Sequence, residues 1–157
     1  MALADAGIRD TDIARTMRVL GGAKAVGRPV RDRLEAHEVI RKGFRAGVLD
    51  HLRKQLVSLD ASRDLEKALG ISLRTMQRRK KTPGWRLSPE QSGRAWKFAE
   101  IFAWATKIFG SAEEAEAWFD RPAMALNRQR PIDLVSTPAG IESLEQLLGR
   151  IEYGVYT

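Results

Sequence analysis

The stretch Asp64-Leu-Glu-Lys-Ala-Leu-Gly-Ile-Ser-Leu-Arg-Thr-Met-Gln-Arg-Arg-Lys-Lys81 decides how the rest of the chain is read. Its period divides it into two short helices joined by a tight turn. Leu65, Ala68 and Leu69 make an apolar stripe on the first, and Gly70 ends it where a left-handed residue is usually needed. Ile71 turns inward. Ser72 is suited to cap the next helix, because its hydroxyl can accept from one of the unpaired amides at a helix start. The second helix is predicted over 73–81, with Leu73 and Met76 toward the core. Its other face carries Arg74, Gln77, Arg78 and Lys81, with Arg79 and Lys80 beside them. Such a face suits the major groove: Arg can bond bidentately to guanine and Gln to adenine, while lysines neutralise phosphates. Ser72, Arg74, Thr75, Gln77, Arg78, Arg79, Lys80 and Lys81 are therefore the candidate DNA-binding residues of a helix-turn-helix. Two features weigh the other way. Charge runs such as 78–81 are usually solvated faces, and Glu66 stands at a first-helix position that is usually small.

Charge is divided along the chain in a way that agrees with a DNA-facing half. Residues 1–100 carry 22 Lys and Arg against 12 Asp and Glu, whereas 101–157 carry 5 against 8. The net charge of +7 thus conceals a strongly basic front and a mildly acidic rear. Apolar residues at 43% and charged residues at 30% give a globular balance, in 157 residues that suffice for one ordinary domain or two small helical ones. With no cysteine there is no disulfide, thiolate metal site or thiol nucleophile, which fits a reducing compartment. No stretch reaches membrane-spanning length, and Met-Ala-Leu-Ala-Asp-Ala-Gly-Ile-Arg-Asp at the start lacks the order of a secretory signal. A soluble, cytoplasmic protein is expected.

Around the central motif the chain reads as helices throughout. Residues 1–32 are an N-terminal arm or a helix; Asp10 can cap a helix through Leu20 with Ile13 and Met17 on one face, but Gly21-Gly22 and Gly27-Arg28-Pro29 favour an arm at most partly ordered. Val39, Ile40 and Phe44 mark one helix broken near Gly43, and Val48, Leu49, Leu52 and Leu56 mark another. His37 and His51 lie in these helices without metal-spaced neighbours and are assigned no chemistry. Ser88-Pro89-Glu90-Gln91 is a strong helix start, and the helix should run to Phe109 with Gly110 as terminator. It is apolar nearly all round and must be buried on several sides. Ser111 and Thr137 start two further helices, the last carrying Ile141, Leu144, Leu147, Leu148 and Ile151. Tyr153-Gly-Val-Tyr-Thr157 then closes the chain, with two aromatic rings unusual for an idle tail.

At this point a family comes into view. Phe109-Gly110, Glu114-Ala115, Ala117-Trp118, Pro122, Ala125-Leu126, Arg130-Pro-Ile-Asp-Leu134, Gly140 and Arg150-Ile-Glu-Tyr-Gly154 resemble the toxin-binding domain of Xre/MbcA/ParS-type antitoxins. Gly70 to Arg79 and Arg86-Leu87-Ser88 resemble the DNA-binding half of the same family, so the likeness covers about residues 35–157. Asn127-Arg128-Gln129 stands where the family usually has glycine. The resemblance implies a type II toxin–antitoxin system whose partner is a RES-domain toxin, an ADP-ribosyltransferase or NAD-degrading enzyme. It also implies that the antitoxin's end sits at the mouth of the NAD pocket. Carried over residue by residue, the toxin-binding set is Trp118, Arg130, Arg150, Glu152, Tyr153, Gly154, Val155, Tyr156 and Thr157.

The expectation is thus an all-α protein: an Xre-like helix-turn-helix bundle over 33–87, then over 88–157 a long apolar helix leading into a small toxin-binding domain with a C-terminal tail. Its expected partners are the toxin and its own operator DNA, bound as a homodimer within a larger complex, with no membrane. Arg74, Gln77 and Arg78 would read bases, while Arg79, Lys80, Lys81 and Lys97 would hold phosphates. No cofactor is called for, and an enzyme is not expected: the sequence has no paired nucleophile and base, phosphate-cradling glycine loop or metal spacing. The alternative is a stand-alone helix-turn-helix transcriptional regulator without a toxin partner.

Overall fold

A computed structural model describes residues 10–57 and 61–154, and these are all-α. Ser58-Leu59-Asp60 and the expected toxin contacts Val155, Tyr156 and Thr157 lie outside the described residues. In chain order the helices are α1 (Asp10–Leu20), α2 (Gly22–Val26), α3 (Arg33–Lys42), α4 (Gly47–Gln55), α5 (Ala61–Leu69), α6 (Leu73–Arg79), α7 (Pro89–Phe109), α8 (Ala112–Asp120), α9 (Pro131–Leu134) and α10 (Pro138–Glu152), with a 3₁₀ turn at Met124–Leu126. Among the described residues none of the helices is long and apolar enough to cross a membrane.

The caps expected from sequence are in place. Ser72, Ser88, Ser111 and Thr137 each accept a hydrogen bond from the amide three residues on, and Ser88 with Gln91 forms a complete capping box. Asp32 does the same for α3. Gly110 ends α7 in the left-handed conformation.

α7 is the axle of the molecule. Ala95, Phe98, Ala99, Ile101, Phe102 and Ala105 are all buried, and α1, α3, α5, α8 and α10 pack around the helix. Phe98, Phe102 and Phe119 of α8 form a ring cluster with centroids 5.6–6.0 Å apart. Each ring contributes about 1.5–3 kcal/mol by leaving water, so this triad fastens α8 to α7. One continuous apolar cluster runs from Ile13 to Leu148.

Two local expectations are corrected. The segment read preferentially as a loose arm is, from residue 10 on, a packed helix: α1 lies along α7 with Ile13, Met17 and Leu20 buried. Its apolar stripe finds a partner far along the chain, which outweighs the local Gly-Gly break. Phe44 is not helical either. Gly43, at φ +88°, ends α3, and Phe44 enters an extended segment with its ring fully buried.

Candidate nucleic-acid and partner interfaces

α5, Gly70 and α6 make the turn that the central stretch implies. The amide of Gly70 still bonds Glu66 O at 2.8 Å, and its φ of +67° turns the chain out of the helix, a conformation costly for any residue with a Cβ. Leu65, Ala68, Leu69 and Met76 are buried, so the two helices share one core. Ser72 Oγ accepts from the Thr75 amide at 3.3 Å, and this capping bond ties both residues to the helix start. α6 ends at Arg79, two residues earlier than expected: Lys80 is the cap and the Thr82 amide bonds Arg79 O at 2.8 Å, turning the chain toward Pro83.

The cations of this region differ in what already holds them. Arg74, Gln77 and Arg78 are exposed and make no side-chain hydrogen bond or ion pair with another described residue. Arg79 and Lys81 are exposed as well. Lys80 is ion-paired with Asp50 of α4, so it fixes α6 to its neighbour as well as adding charge. Lys97, expected at a phosphate, is set between Glu100 at 3.0 Å and Glu145 at 3.8 Å and links α7 to α10.

In the rear half, Trp118 is half-buried between Phe109 and Phe119, at centroid distances of 5.6 and 5.1 Å. It therefore spends part of its ring on the core. Arg130 is committed to its own chain. Its Nη1 donates to Asp120 at 2.7 Å, Nη2 to Asp64 at 2.8 Å, and Nε to Asp133 at 3.2 Å. These carboxylates come from α8, α5 and α9, so one guanidinium ties the turn motif to the rear half. Lys67 of α5 adds a second tie to Asp133 at 3.3 Å. Hydrogen bonds with Asp133, Asp64 and Asp120 push the Arg130 pKa further up, and the group is charged at every working pH. For Asp133, burial works to raise the pKa, but the bonds from Arg130 and Lys67 outweigh it and hold the carboxyl below its usual value.

The end of α10 is held as firmly. Glu152 accepts from Trp104 Nε1 and lies 3.8 Å from Lys107 Nζ, both on α7. Beyond it Tyr153 is 55% exposed, and Gly154 is exposed too. Arg150 is exposed on one wall of a shallow groove of about 220 Å³ whose other walls include Ala125, Asn127, Gln129, Ser143 and Gln146. The loop beside it closes through a bridge between Ala123 and Gln129, with Asn127 at φ +54° and Arg128 at φ +63°. Asn visits this region readily, so position 127 turns without glycine, whereas Arg128 holds the same left-handed geometry at the steric cost of its Cβ. The carboxylate partners of Arg130 escaped the sequence reading. Only Asp133, three residues on, was within reach of local spacing.

The front and rear halves match known families separately. Residues 35–100 match the Antitoxin Xre-like helix-turn-helix domain, and 105–154 match the Antitoxin Xre/MbcA/ParS C-terminal toxin-binding domain. Among curated proteins, the chain is 30% identical over 119 residues to an antitoxin Xre of Yersinia enterocolitica, covering 75% of this chain and 78% of that one. It is 25% identical over 133 residues to an antitoxin Xre of Photorhabdus laumondii, covering 84% and 88%. A third, from Pseudomonas putida, is 30% identical over 122 residues, covering 76% and 72%.

Proposed function

The chain belongs to the Xre antitoxin family, and from that premise we propose that it neutralises an NAD-consuming RES-domain toxin by covering the toxin's active site with its C-terminal half. The toxin either degrades NAD or transfers its ADP-ribose. In this reading the antitoxin also binds its own operator in the cytoplasm, as a homodimer within the toxin complex, and represses the operon. It acts by binding rather than by catalysis.

The observation that supports occlusion most directly is the anchored, outward end of α10. Trp104 and Lys107 hold Glu152, so Tyr153 is presented from a fixed point rather than from a loose tail. An aromatic ring can fill a nucleotide pocket, and a carboxylate can pair with cations that otherwise meet phosphate. For the operator, the support is the exposed set Arg74, Gln77 and Arg78 on α6, whose side chains have no other partner among the described residues.

Deleting Tyr153 to Thr157 tests the occlusion. Co-expressed with the toxin, the shortened protein is expected to let NAD fall and growth stop, while still shifting operator DNA. A shortened protein that protects cells as well as the full chain would remove the tail from the mechanism.

A further inference from the structure

Gly43-Phe44-Arg45 runs antiparallel to Arg86-Leu87, in a bridge that sets Arg45 opposite Arg86. The bridge is firmly built. The Leu87 amide donates to Phe44 O at 2.9 Å, and the Phe44 amide donates to the buried Ser92 hydroxyl at 2.9 Å. Only glycine fits at 43, since a Cβ there would lie 2.1 Å from the Leu87 carbonyl oxygen. Phe44 and Leu87 are buried, and the alternation of an extended segment leaves Arg45 and Arg86 exposed on the other side.

Both guanidinium groups then converge. A Cβ built on Gly27 would lie 3.6 Å from Arg45 Nε and equally 3.6 Å from Arg86 Nη1. Like charges facing each other across a bridge are destabilising, yet among the described residues no carboxylate pairs with either arginine. The nearby Arg28 already has its own carboxylate, Glu38 at 3.4 Å. Arg86 Nη1 donates to Gly43 O at 3.1 Å, which fixes that side chain and leaves the rest of its fork for a ligand. Two guanidinium groups beside the same glycine, one of them fixed and neither with a counter-charge among the described residues, suit a phosphate, which arginine binds bidentately.

Position narrows the source of that phosphate. Arg45 precedes α4 and Arg86 follows α6, and the Lys80–Asp50 ion pair joins the same two segments. Along the chain Arg86 thus follows the cationic run 78–81, and Arg45 is bridged to it. We propose that Arg45 and Arg86 form a clamp for a backbone phosphate of duplex DNA, outside the helix-turn-helix itself; this rests on the reading that α6 lies on DNA.

The test is binding of a short duplex from the DNA upstream of the gene, by fluorescence anisotropy across salt concentrations. Arg45→Gln is expected to weaken binding and to flatten the slope of log affinity against log salt by about 0.9, the value for one lost phosphate contact. Arg45→Lys should restore most of the slope. The Arg45 side chain bonds no other described residue, so an unchanged circular-dichroism melt is expected and guards against misfolding. An unchanged slope in Arg45→Gln, where the Arg74→Ala and Arg78→Ala double variant loses binding, overturns the clamp but not the reading of α6. A wild-type protein that binds no duplex overturns that reading, and the DNA clamp with it. Titration with inorganic phosphate, followed at the arginine Nε resonances, separates the sources. A shift there without a change in duplex slope assigns the pair to free phosphate instead of DNA and overturns the DNA clamp.

Discussion

Arg130 shows what one side chain can hold together. Its guanidinium joins Asp64, Asp120 and Asp133, and Asp64 is 5% exposed while Arg130 is 30% exposed. An exposed ion pair is worth at most about 1 kcal/mol, whereas orphaning one partner of a buried pair costs about 3–5 kcal/mol. Arg130→Ala lies between those limits, and a loss of about 1–3 kcal/mol in urea unfolding is expected. Arg130→Lys should recover little of it, since a single ammonium cannot reach three carboxylates with the geometry of a fork. Acid should loosen the same contact. The Asp133 carboxyl is held below its usual value in the folded chain, so its contribution is fully present above the unfolded value of about 3.9 and is lost as pH falls through the lower folded one. The stability gap between the wild type and Asp133→Asn is therefore expected to shrink between pH ~5 and pH ~3. A gap that stays constant over this range would show that the carboxylate charge is not what matters.

Elements repeat the lesson with backbone in place of charge. Two glycines of α10 should respond to alanine with opposite signs. At Gly140 a Cβ would lie 2.0 Å from the Leu134 carbonyl oxygen, because the start of α10 packs directly on α9. Gly140→Ala is expected to destabilise by about 1–3 kcal/mol through overpacking, more than helix propensity returns. At Gly149 the nearest atom is a Trp104 ring carbon at 4.0 Å, so Gly149→Ala should stabilise by up to about 1 kcal/mol. Thermal melts of the two variants settle the order. Helix starts were legible in the sequence because Ser72, Ser88, Ser111 and Thr137 act within three residues of themselves. The burial of α7 was legible too, from a composition apolar on every side. What stayed hidden depends on distant partners: Arg130 meets Asp64 across 66 positions, and Lys80 meets Asp50 across 30. The same holds for α1, whose stripe is ordinary until α7 is placed beside it. Phe44 misled for a different reason, since helical spacing continued past the glycine that ends α3.

For the molecule as a whole, charge separates what the core unites. The front half is basic and the rear half mildly acidic, so changes on one face should leave the other's task intact. Arg74→Ala with Arg78→Ala is expected to abolish operator binding in mobility shifts while toxin neutralisation in cells persists. Loss of both functions together would mean that the substitutions unfold the protein or that α6 also meets the toxin. The core predicts the reverse for dissection. A fragment ending at residue 87 would lack α7 and so leave α1, α3 and α5 without the surface they pack on. Its circular dichroism should show no cooperative melt.

α7 also limits how this protein can be rebuilt. Recombining the helix-turn-helix half of this chain with the toxin-binding half of a relative would join two surfaces that never adapted to each other along a single shared rod. A chimera that keeps both flanks of that rod from one parent is expected to melt cooperatively, whereas one that splits them is not.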